Sequence, residues 1–196
     1  MKIHGDRNSG NCQKVKWVAD RLALPYEWIG IDTLKGGSRT AEFLKLNPWG
    51  QVPVVVLDDG RTLAQSNAII RYLARGSELI PADAFAVAKM DEWLFWEQYS
   101  HEPYVAVCRF HMVYLGRKAS ELDPEIVKRG IAALDHLERR LGENRFLVGE
   151  TFSLADVALV AYTRVAHEGG FDLARCASVR RWIGETEKNL GLTPIR

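Results

Sequence analysis

Residues 47–74 read NPWGQVPVVVLDDGRTLAQSNAIIRYLA, and this run limits the fold more than any other stretch of the chain. Val54 to Leu57 and Arg61 to Leu63 are strand segments either side of Asp58-Asp59-Gly60, a strong hairpin signal, and a helix is predicted from about Ser66. Pro53 stands at the first residue of the leading strand. Proline cannot donate to a sheet ladder, so here it either merely starts a strand or leaves the Val52 main chain free to pair with an extended peptide.

Upstream, the alternation of strand and helix continues. A short strand is predicted at Lys2 to Gly5, followed by a helix with Cys12, Val15, Val18, Ala19 and Leu22 on one face and Pro25 beyond its end. Tyr26 to Ile31 reads as a second strand, and a glycine-bearing loop at Lys35 to Ser38 leads to a short helix at Ala41 to Leu46. The order βαβαββα implies a small mixed sheet covered by helices, over residues 1–75. Residues 76–83, GSELIPAD, read as a linker, and the character then changes. Residues 84–196 are helical in pattern: Phe85 to Gly116 is rich in aromatics, Pro124 to Leu141 carries one apolar stripe, and Ala177 to Leu190 closes the chain. Ser153 with Asp156 forms an acidic variant of the capping box ahead of VALVAYTRVA, a run apolar enough to sit at the centre of a bundle.

Composition removes several classes of function. With 26 basic and 25 acidic residues dispersed along 196, there is no basic field for nucleic acid or an anionic membrane. No apolar run approaches the roughly 20 residues of a membrane span, and no leader pattern opens the chain, so a cytoplasmic location is expected. Three widely spaced cysteines, Cys12, Cys108 and Cys176, argue against a disulfide framework. The five histidines lack metal-ligand spacing; after His101-Glu102 a zinc protease needs a histidine where Val105 stands.

Two short segments can carry chemistry. NSGNC, residues 8–12, lies where a strand gives way to a helix. Ser9 there either caps the helix or donates its hydroxyl to a bound sulfur, since unpaired N–H groups and the helix dipole favour a thiolate at that place. Cys12 falls on the apolar stripe, which makes it a buried core thiol or an auxiliary to that site. Gln65-Ser66 precedes the next helix: Ser66 either caps it or, with the free N–H groups and the Gln65 amide, holds a ligand carboxylate.

Together these residues resemble the glutathione transferases over essentially the whole chain. Serine-type members of that family place their catalytic serine at the start of the first helix, ahead of a basic and a small apolar residue, as in Ser9-x-x-x-x-Lys14-Val15. LNPWGQVPVVV is similar to their N-P-x-x-x-V-P-x-L pattern. The family usually has Glu-Ser where this chain has Gln65-Ser66; glutamine there is a zeta-class feature, while the zeta S-S-C pattern is absent. The resemblance implies a thioredoxin-like α/β domain followed by an all-α helical bundle, with glutathione as co-substrate and no metal. It implies Ser9 as the catalytic residue, a cis Pro53, and glutathione held by Gln51, Val52, Pro53, Gln65 and Ser66. NSGNC then has the outline of a C-x-x-C redox turn whose attacking cysteine is replaced by Ser9, so activation of glutathione's own sulfur is implied rather than thiol–disulfide exchange.

The expected partners are glutathione and a small hydrophobic electrophile, within a homodimer, as the resemblance implies. The electrophile is expected against the first long helix of the second domain, where Tyr104, Cys108 and His111 recur at helical spacing. Conjugation is the expected reaction. A glutathione-dependent isomerase of the maleylacetoacetate type and a non-catalytic glutathione-binding protein are the alternatives.

Overall fold

A computed structural model describes residues 1–195, which form two compact units, Met1–Ser77 and the remainder from Glu78 onward. The first holds β1 (Lys2–Gly5), α1 (Gly10–Arg21), β2 (Glu27–Gly30), α2 (Ala41–Leu46), β3 (Val54–Val56), β4 (Thr62–Ala64) and α3 (Ser66–Leu73). The sheet order is β2-β1-β3-β4, with β1 and β2 parallel and the other pairs antiparallel. The hairpin closes as its residues demand: Gly60 adopts φ +83, and its N–H donates to the Leu57 carbonyl at 2.9 Å. Ile3, Val15, Val18, Val54, Val55, Ile69 and Ile70 form the core. Helix α1 approaches the end of β1 so closely that a Cβ on Gly5 would lie 2.9 Å from the Trp28 ring and 3.1 Å from the Cys12 Cβ.

The second unit contains α4 (Ala84–Trp96), α5 (Glu102–Arg109), α6 (Pro124–Glu143), α7 (Leu154–Thr163) and α8 (Ala177–Leu190). The stretch read as helical from Phe85 to Gly116 carries two π-helical turns, at Glu97–His101 and Phe110–Tyr114. Pro103, early in α5, has no N–H for the ordinary ladder, and just before it the Glu102 N–H reaches five residues back to the Glu97 carbonyl. Every residue of α7 is buried, which accounts for its apolar circumference.

The one acidic residue in α7 is Asp156. It completes the box with Ser153, accepting from the Ser153 N–H at 2.9 Å, and also accepts from the Leu147 N–H at 3.0 Å and Trp182 Nε1 at 2.8 Å. Burial pushes its carboxyl up to about 6, against the pull of those donors. The group therefore ties the α7 start, the Phe146–Leu147 turn and α8 into one polar knot. Asp156→Asn turns an acceptor into a donor facing donors, and should lower the unfolding free energy by roughly 3 kcal/mol in a urea titration. A loss below about 1 kcal/mol, the size of one ordinary hydrogen bond, would show that the knot is not structural.

Candidate active site

The sheet register gathers the first unit's candidate residues. His4 pairs with Val54, and Val54 pairs with Ala64, so the end of β1, the start of β3 and the end of β4 lie at one end of the sheet. The chain leaves those strand ends through Asp6–Ser9, Gln51–Pro53 and Gln65–Ser66. A direct bond ties the last of these segments to the first turn of α1: Ser66 Oγ donates to Asn11 Oδ1 at 3.1 Å.

Ser9 is the N-cap of α1, with φ −76 and ψ 121, and its Oγ accepts from the Cys12 N–H at 3.4 Å. The same hydroxyl is hydrogen-bonded to the Cys12 sulfur. The first turn carries no acidic side chain, so the helix dipole presents net positive character there. The turn is held from below by Asp6, which accepts from the Asn8 N–H at 2.8 Å and the Thr33 hydroxyl at 2.7 Å. Cys12 is fully buried, and burial pushes its thiol up to about 11 in spite of the hydrogen bond from Ser9. It is a core thiol.

Val52-Pro53 is a cis peptide, with Pro53 buried, Val52 half-buried and Gln51 exposed. Buried Asn47 fixes this loop by donating to the Gln51 carbonyl at 2.8 Å and accepting from the Trp49 N–H at 3.2 Å. Ser66 is not the cap of α3. That position belongs to Gln65, exposed and without a side-chain capping bond, while Ser66 is the first helical residue and is buried. One residue alone separates β4 from α3, so Gln65 must turn the chain by itself and does so at φ +69, ψ 110. Positive φ at a non-glycine residue costs of order 1–3 kcal/mol, and such strain clusters at functional sites.

In the second unit, Tyr104 and His111 are half-buried and Cys108 is buried at 1% exposure. Arg129 donates to the Tyr104 hydroxyl at 3.1 Å and lies over its ring. The π turn that follows stacks Phe110 on Tyr114 at 5.2 Å, with the His111 ring 6.2 Å from that of Phe110. The sequence reading missed Asp6, Asn11 and the burial of Lys14. The spacing of Asp6 and Asn8 is an Asx-turn signal that could have flagged the first; a lysine on an apolar helix stripe could have flagged the last.

The chain and its fold match known proteins. A family model for the glutathione S-transferase N-terminal domain matches residues 8–75, and one for the glutathione S-transferase C-terminal domain matches residues 124–185. Glutathione S-transferase 3 of Zea mays is 32% identical over 80% of this chain and 73% of its own length. A glutathione S-transferase structure from Pseudomonas fluorescens superposes with a TM-score of 0.92 at 45% identity, covering 95% of this chain and 94% of that one. One from Xanthobacter autotrophicus gives 0.90 at 41% identity, covering 100% and 95%.

The buried, raised thiol generates a test of the turn itself. In the native protein at pH 8, Cys12 should alkylate with iodoacetamide at least ~100-fold more slowly than in the unfolded chain, read by peptide mass spectrometry. Comparable rates would place its sulfur in the site rather than the core.

Proposed function

Since this chain belongs to the glutathione transferase family and is a glutathione transferase, we propose that Ser9 is the residue that activates the glutathione sulfur. The observation that carries this reading is the Ser9 hydroxyl at the N-cap of α1, above a first turn without acidic side chains. A free thiol of pKa roughly 8.5 is mostly protonated at neutral pH. Donation from Ser9 Oγ–H and the helix N-terminus lowers the free energy of the thiolate, which attacks an electrophilic carbon and displaces its leaving group or adds across its double bond.

The same proposal assigns the rest of the tripeptide to the sheet end. The Val52 main chain, freed by the cis peptide and the strand start at Pro53, pairs with the cysteinyl backbone, while Gln51 borders it. Gln65 and Ser66 take the γ-glutamyl carboxylate at the start of α3. Tyr104 and His111, both half-buried, are the electrophile contacts for a small hydrophobic substrate; Cys108, enclosed, supports them by packing. The setting we infer is cytoplasmic; among the described residues no helix is long and apolar enough to cross a membrane.

A homodimer is part of the same proposal. Phe85, Ala88, Glu92, Phe95 and Tyr99 follow one another three or four residues apart, and all are exposed, the three aromatics at 73%, 77% and 82%. An aromatic stripe left in water marks an interface. Light scattering at micromolar concentration should give twice the mass of the 22.1 kDa chain, and a monomer mass would overturn the assignment.

For the chemistry, Ser9→Ala should lower kcat roughly a hundredfold while KM for glutathione moves by less than about threefold, because the hydroxyl acts on the thiolate more than on the bound thiol. A larger change in KM than in kcat would make Ser9 a binding residue.

A further inference from the structure

Lys14 is the one lysine on α1 that is entirely buried, at 0% exposure, an expensive place for an ammonium group that an apolar side chain would fill at lower cost. Its Nζ donates to Asn11 Oδ1 at 2.8 Å. The same oxygen accepts from Ser66 Oγ at 3.1 Å. One carbonyl thus receives two donors, one from inside the unit and one from the residue assigned to the ligand carboxylate.

That sharing has a consequence for binding. A hydroxyl has a single proton, and here the Ser66 proton is committed to Asn11, so Ser66 Oγ can only accept. A carboxylate needs that proton. Were Asn11 Oδ1 dependent on Ser66 alone, turning the hydroxyl toward the ligand would strip a part-buried acceptor of its partner, a penalty comparable to the hydrogen bond gained. With the lysine still donating, the carbonyl stays satisfied and the hydroxyl can turn freely. A charged donor is also the stronger one, so the carbonyl loses least when the neutral partner leaves.

We propose that Lys14 is a positioning residue for glutathione binding: it holds Asn11 Oδ1 so that the Ser66 hydroxyl can rotate from Asn11 to the ligand carboxylate. The proposal rests on the assignment of Ser66 to that carboxylate. No bond to the substrate is made by Lys14 itself, and its effect passes through Asn11.

The test is the glutathione KM and kcat at saturating chlorodinitrobenzene for wild type, Ser66→Ala, Lys14→Met, Lys14→Arg, Asn11→Ala and the double variant Asn11→Ala with Lys14→Met. Folding of each is checked by circular dichroism, and Lys14→Gln replaces Lys14→Met in both backgrounds if the latter does not fold. Lys14→Met should raise KM about tenfold with kcat within about twofold, Lys14→Arg should recover most of the loss, and in the Asn11→Ala background the substitution at Lys14 should change KM by less than about twofold. If Ser66→Ala leaves KM at the wild-type value, the carboxylate assignment fails and takes this proposal with it. If Ser66→Ala raises KM but Lys14→Met does not, the carboxylate assignment survives and the role of Lys14 is refuted. An equal effect of the Lys14 substitution with and without Asn11 refutes the coupling, since a purely structural lysine would act in both backgrounds.

Discussion

The antiparallel register that sets His4 opposite Val54 and Val54 opposite Ala64 is the constraint on which the site depends. It brings together three chain segments that are about forty residues or more apart from Ser9 to the other two, and it does so through main-chain hydrogen bonds rather than through any one side chain. A slip of one residue in β3 would turn Val54 and Val55 over and move the cis peptide away from the α1 terminus. Gly5 is the local condition for this arrangement, because only a residue without a Cβ lets α1 come so near the end of β1.

Electrostatics then divides the labour between two side chains three residues apart. At the helix start the Ser9 hydroxyl caps a first turn that carries no acidic side chain. Cys12, one turn deeper, is enclosed and its thiol is held protonated by burial. In the proposed mechanism the turn stabilises a sulfur anion supplied from outside, while burial suppresses the one in its own chain. Strain at Gln65 and the bond between Ser66 and Asn11 belong to the same economy of space: β4 runs into α3 with one residue between them, which fixes where the helix begins and where its first hydroxyl points.

Much of this could be read in the sequence where a single residue type has a narrow physical meaning. Asp58-Asp59-Gly60 announces its turn, the apolar run after Ser153 announces a buried helix, and the pairing of Ser153 with Asp156 announces its start. Periodicity alone, by contrast, could not locate the two π turns, because a widened turn keeps the composition of an α-helix and only the ladder changes. Ser66 looked like a cap because serine is favoured there, yet the cap is set by where β4 ends, a tertiary fact. The bond between Asn11 and Ser66 lay beyond the sequence for the same reason: it spans 55 positions.

The central claim is that Ser9 and the α1 terminus stabilise the glutathione thiolate, and the most direct measurement is the ultraviolet absorbance of the thiolate in the bound tripeptide as pH is raised, for wild type and Ser9→Ala. The account predicts that in the wild type the bound thiol ionises well below the free value of roughly 8.5, and that in Ser9→Ala it returns most of the way toward it. Coincident titrations of the two proteins, or a wild-type thiol that ionises at the free value, would contradict it.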